Sequence, residues 1–152
     1  TKQLAFSQRR RECRAIDRNK RLLATSADLS VDGLVYVCDR VNDRLQVFSK
    51  DGKFVKEQQY QKDSLGDGSV WDVAFSKDPQ QTYLYLADGT NHKIWILRRS
   101  TMEVVGEFGR GGRQLGQMLR PHGMSIDSKG NLYVGEASTG RRVQRFMVKN
   151  AK

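Results

Sequence analysis

Cysteine, histidine and proline each occur only twice in these 152 residues, and no apolar run is long enough to span a membrane. Two cysteines, Cys13 and Cys38, do not amount to a disulfide framework. No segment has the apolar h-region of a leader peptide, so the expectation is a mature form or a piece of a longer protein, without membrane insertion. Also missing are a Ser-His-Asp or Cys-His arrangement, paired cysteines at metal spacing and a cofactor fingerprint, so no enzyme signature is complete. The stretch Gly109-Arg110-Gly111-Gly112-Arg113 lacks the Gly-Lys-Ser/Thr ending of a phosphate loop, and it is too short for an arginine-glycine tail. It reads as a connecting loop whose glycines permit tight backbone conformations.

What is abundant is positive charge, with a formal net charge of +10. Residues 1–23 hold eight of the 27 basic side chains and two of the 17 acids, so the other 129 residues are only mildly basic. This N-terminal segment is expected to be a solvated or strand-capping stretch. Its functional alternative is contact with nucleic acid or another anionic surface, because clustered Arg and Lys release counterions from phosphates. Cys13 lies in this basic setting without an evident partner.

The remainder is organised by a repeat. Tyr36-Val37-Cys38-Asp39 leads through a turn to Arg44-Leu45-Gln46-Val47-Phe48. Tyr85-Leu86-Ala87-Asp88 leads to Lys93-Ile94-Trp95-Ile96-Leu97, and Tyr133-Val134-Gly135-Glu136 leads to Arg142-Val143-Gln144-Arg145-Phe146. A tyrosine spacing close to 50 residues belongs to propeller blades. Alternating apolar runs separated by Gly, Asp, Asn and Ser predict four short strands per copy. The first copy would use residues 29–32, 34–39, 45–49 and 53–57. The second would use 70–75, 83–87, 93–97 and 103–108. The third would use 123–127, 131–136 and 142–148, with its outer strand short or missing. The small residues Cys38, Ala87 and Gly135 are expected to face the crowded space between neighbouring sheets. The acids after them are expected to accept backbone N–H bonds from the following turn. Trp71, Trp95, Phe48, Phe75, Phe108 and Phe146 fall at apolar strand positions and are expected in the core.

The segments VYVCDRVNDRLQVFSKDGKFVKE, GEFGRGGRQLGQMLRPHGMSIDSKGNLYV and LYVGEASTGRRVQRF resemble the blades of NHL-repeat β-propellers, over residues 24 to about 148. Among these they look most like bacterial NHL proteins and peptidyl-α-hydroxyglycine α-amidating lyase. That lyase resemblance implies a metal held by histidines near the propeller axis. Pro121-His122-Gly123 is similar to the inner strand that supplies one such ligand, and Asp39-Arg40 to a turn that supplies an arginine. The equivalent histidine positions hold Ala27 and Trp71 here, and Thr90 stands where the lyase has a tyrosine. A catalytic zinc site takes three protein ligands, so His122 would need Asp, Glu or a second chain to complete one. No cofactor is firmly implied; zinc or calcium would be the metal. Bacterial relatives of this type imply an extracytoplasmic location.

The expectation is therefore an all-β, NHL-type propeller segment of about three four-stranded blades, at 24–60, 68–110 and 118–150, preceded by the basic segment 1–23. Three blades are half of a common six-bladed ring and cannot close by themselves. Either the rest of a longer propeller or a second copy completes the ring, with residues 21–25 closing a blade by strand pairing. The expected function is non-catalytic binding or scaffolding of a protein or peptide through the turns that carry Arg40, Asn42, Asn91, His92, Arg141 and Arg142. The alternatives are an amidating-lyase-like metal enzyme acting through His122, and RNA binding through a basic face.

Overall fold

A computed structural model describes residues 24–147; the basic segment, Cys13 and residues 148–152 lie outside it. Within the described residues, eleven strands form three antiparallel sheets in which each strand pairs with the next. The first sheet holds β1 (Ala24–Leu29), β2 (Leu34–Asp39), β3 (Arg44–Ser49) and β4 (Phe54–Gln59). The second holds β5 (Asp72–Phe75), β6 (Tyr83–Asp88), β7 (Lys93–Arg98) and β8 (Glu103–Phe108). The third holds β9 (Pro121–Ile126), β10 (Leu132–Glu136) and β11 (Val143–Phe146). The first strands β1, β5 and β9 lie side by side, so the sheets radiate from a common line as propeller blades do.

The inner strand of the first copy differs from expectation. It runs over Ala24–Leu29, while residues 30–33 make the turn into β2. The Gly33 N–H closes that turn on the Ser30 carbonyl, with Gly33 at φ +78°, a conformation that needs no strain only in glycine. Ala24 and Thr25 consequently belong to the first sheet and pair towards β2, so they do not close the third sheet. Bulges also change the equivalences. Ala24 and Ser26 face Asp39 and Cys38, and Pro121 and Gly123 face Glu136 and Gly135, so Thr25 and His122 are each an extra, bulged residue. The counterpart of His122 in the first sheet is therefore Thr25, two residues before the expected Ala27, while Ala27 aligns with Val73 and Met124.

Because side chains alternate along a strand, each sheet has a leading face towards the sheet before it and a trailing face towards the sheet after it. Tyr36, Cys38, Leu45 and Val47 of the first trailing face pack against Val73, Phe75, Leu84, Leu86 and Leu97 of the second leading face. Tyr36 meets Phe75 edge-on at 5.1 Å. Ala74, Ala87 and Ile94 then meet Met118, Leu132 and Val134, with Phe108 against Phe146 at 4.9 Å. Cys38 and Ala87 sit at these two junctions fully buried, whereas Gly135, their counterpart, faces the open end of the row. Each fully buried large side chain here contributes roughly 1.5–3 kcal/mol. The third sheet has no fourth strand among the described residues, and there an apolar cleft of about 510 Å³ opens between Tyr85, Phe108, Leu132 and Phe146.

Candidate functional site

The three repeated acids act first as turn anchors. Asp39, Asp88 and Glu136 are buried at the ends of β2, β6 and β10. Asp39 accepts hydrogen bonds from Asn42 Nδ2 at 2.8 Å and Arg44 Nε at 2.8 Å. Asp88 accepts from the Asn91 backbone N–H at 2.9 Å, from Asn91 Nδ2 and from Trp95 Nε1. Glu136 accepts from Arg142 Nε, from Gln144 Nε2 and from the Leu119 N–H of the preceding connection, at 2.7–2.8 Å. The expected backbone bond from the following turn is thus made by Asp88, while the Glu136 carboxylate also reaches back to an earlier loop. Burial works against the charge on Glu136, but these donors outweigh it and hold the carboxyl below the usual glutamate range.

This arrangement engages most of the residues expected at the binding face. Asn42 and Asn91 hold their acids, and Asn91 also donates to the Ser64 hydroxyl. Arg142 ties Glu136 to the Gln117 carbonyl. His92, in the left-handed region at φ +61°, accepts the Arg120 backbone N–H on Nδ1 at 3.1 Å. Arg141 sits at a tight corner and donates to the Ser138 carbonyl at 3.2 Å. Arg40 alone of the six lies over a ring.

That ring is Trp71, the counterpart of His122 on the neighbouring inner strand. The guanidinium carbons of Arg40 and Arg120 lie 4.6 and 4.8 Å from its centroid, and His122 meets it edge-on at 5.3 Å. Several contacts lock the indole. Its Nε1 donates to the Gly68 carbonyl at 2.7 Å, as does the Thr90 hydroxyl at 2.6 Å. Gly89 lies flat against it, where a Cβ would stand 2.5 Å from a ring carbon. Gly68 is required for a similar reason: with φ +75°, its missing Cβ would fall 1.9 Å from the Arg40 carbonyl oxygen. One carboxylate serves both arginines. Asp67 bonds Arg120 and stands 3.9 Å from Arg40, and the arginines hold it below the usual carboxylate range. The Nε atoms of Arg40 and Arg120 are buried without an acceptor. Two guanidiniums sharing one acid leave an excess positive charge on a rigid aromatic platform. Arg120 and Asp67 escaped sequence reasoning because they lie in connections without repeated spacing; the alignment of Trp71 with His122 was the one available signal.

Below Trp71, Asp72 ties the inner strands together. It accepts from the Ser26 hydroxyl at 2.5 Å and from the Met124 N–H at 2.7 Å. Burial raises its carboxyl above the usual aspartate range despite these bonds. A carboxyl raised on folding favours the protonated form, so its contribution to stability grows as pH falls from neutral through that raised value. Asp72→Asn is expected to flatten this part of the stability profile between about pH 7 and pH 4, as read by urea unfolding at a series of pH values. An unchanged slope would reject the assignment.

Among the described residues no three His, Cys, Asp or Glu side chains are grouped to hold a metal. Among the described residues His122 is not joined by His92, whose Nδ1 accepts the Arg120 backbone N–H, so a three-ligand site would have to draw its other donors from outside them. Cys38 is buried, and burial raises its thiol well above the ordinary range, which disfavours the thiolate needed for reactivity. No helix among the described residues is long and apolar enough to cross a membrane.

No family model matches the chain, and no curated protein matches it. Solved structures do. Virginiamycin B lyase from Staphylococcus aureus is similar at TM-score 0.59 and 14% identity, over 87% of this chain and 43% of that one. Streptogramin B lyase is similar at TM-score 0.56 and 14% identity, over 84% and 41%. A putative 6-phosphogluconolactonase from Bacteroides fragilis is similar at TM-score 0.54 and 14% identity, over 79% and 36%. The chain spans less than half the length of each of these proteins. At such identity the likeness carries the fold alone: the described residues are an all-β segment of a β-propeller, formed of three blade-like sheets.

Proposed function

We propose that this chain is a non-catalytic binding module of an NHL-type propeller, and that it takes an anionic group of a protein or peptide ligand over Trp71. The observation that supports this reading is the pair of guanidiniums, Arg40 and Arg120, held on one indole with a single shared carboxylate. A carboxylate or phosphate approaching the partly exposed guanidiniums adds charge-assisted bonds to those of the shared Asp67. His122, exposed on the same inner-strand position, offers a further donor or acceptor.

The test is a titration of the full chain with an acidic peptide such as polyglutamate and, separately, with inorganic phosphate, reading tryptophan fluorescence. Saturable change is expected to persist in Trp95→Phe, which silences the other indole, and to weaken about tenfold or more in Arg40→Gln or Arg120→Gln. The affinity is also expected to fall as salt is raised. Equal affinity in the arginine variants would sink the proposal. Stoichiometric zinc lost on His122→Ala would favour the metal-enzyme alternative instead. Tighter binding to single-stranded RNA, abolished by removing residues 1–23, would favour the nucleic-acid one.

A further inference from the structure

The sheets keep most of their two-faced pattern at both ends of the row, where no other sheet among the described residues lies against them; the exception is Arg145, which stands at the register position of Val47 and Ile96. On the leading side, Leu29, Val35, Val37 and Phe48 of the first sheet occupy the register positions of Phe75, Leu84, Leu86 and Leu97. The third sheet has Ile126, Leu132, Val134 and Phe146 there, so the pattern is apolar in all three sheets. The burial differs sharply. Phe75 is 6% exposed, while Leu29 is 58% exposed. On the trailing side, Tyr133, Gly135 and Val143 repeat Tyr36, Cys38 and Leu45. Val143 is 69% exposed, whereas Leu45 and Ile94 at its position are 0% exposed. A surface-facing strand has no reason to keep a tyrosine, a small residue and an aliphatic residue in the same register as two buried junctions.

We propose that the trailing face of the third sheet of one copy docks on the leading face of the first sheet of a second copy, and that two copies close one ring of six sheets. The contact continues an interface that the chain already makes twice, between its first and second sheets and between its second and third. The count selects the number of copies. Closed propellers have about four to eight blades, so for the three described sheets one copy is too few and three copies are too many. A head-to-tail contact between unlike faces closes into a ring when the rotation per copy allows it. Such closure brings a second Arg40, Trp71 and Arg120 set to the same axis.

Light scattering on the full chain up to about 100 μM, where even weak association is visible, is expected to give twice the mass of the chain. Leu29→Glu and Val143→Glu alter exposed positions and should fold, as circular dichroism will report. Each is expected to weaken association by about a hundredfold, because the carboxylate is buried unpaired at the contact. An equimolar mixture should form an open dimer held by one of the ring's two contacts, the intact leading face of Val143→Glu on the intact trailing face of Leu29→Glu. It should be weaker than the wild-type ring but tighter than either variant alone, since both glutamates fall in the other contact. A wild-type monomer, assemblies larger than two, indifference to both charges, or a mixture that stays monomeric would each overturn the proposal. Arg40→Gln and Arg120→Gln lie away from these faces and should leave the mass unchanged, which keeps this outcome separate from the anion-binding test.

Discussion

Replacing Leu86 with alanine is expected to lower the free energy of unfolding by about 3 kcal/mol or more. Leu86 is fully buried on β6, between Val73 of β5 and Trp95 of β7, and it packs into the cluster that joins the first and second sheets. The loss combines transfer of the side chain with a cavity that surrounding strands cannot collapse to fill, since their spacing is set by backbone hydrogen bonds. Val37 holds the same register position in the first sheet but is only half-buried. In the dilute single chain, Val37→Ala should cost about 1 kcal/mol or less. Urea unfolding of both variants, with unchanged m-values, checks the contrast. Similar losses at the two positions would mean that the leading face of the first sheet is already covered in the single chain.

Removing the Glu136 carboxylate should have an effect of comparable size. Glu136→Ala is expected to cost about 2–4 kcal/mol, because it strips acceptors from the Leu119 N–H and Gln144 Nε2 and leaves Arg142 without its acid. Its side chain has no solvent exposure, so water cannot substitute without rearranging the turn. Glu136→Gln, which retains one oxygen acceptor, should cost roughly half as much. The sign of the pH dependence follows from the depressed folded carboxyl. The stability that the charged group contributes is present above about pH 4.3, the unfolded glutamate value, and is lost as pH falls through the lower folded value. Acid unfolding should therefore begin nearer neutrality in Glu136→Ala and lose steepness below about pH 4. An acid profile identical to that of the unaltered chain would contradict the role of this carboxylate.

Fold class was legible because it rests on local patterns. The Tyr-x-small-acid runs and their spacing placed β2, β6 and β10, and the alternating apolar residues placed β3, β7 and β8, to within a residue at each end. The first inner strand was misplaced because Asp32-Gly33 makes a tight turn immediately before β2, and a bulge at Thr25 breaks the alternation that would have marked β1. The turn residues were recognised as a group, but their individual duties were not. Asn42, Asn91 and Arg142 lie, like Arg40, in polar turns, and composition does not separate those that anchor a buried acid from the one that reaches a tryptophan.

By itself, then, the sequence determined an all-β segment of three propeller-type repeats, with small residues and acids at fixed strand positions. Periodicity and turn chemistry are properties of neighbours along the chain, so they survive without knowledge of packing. The tertiary structure alone decided that Arg40, Trp71 and Arg120 meet, that Asp67 serves both arginines, and that Thr25 is the counterpart of His122 in the row of inner strands. Those residues come from separate connections and different sheets. Their proximity depends on the angle between sheets and on two bulges, neither of which leaves a repeating mark in the order of amino acids.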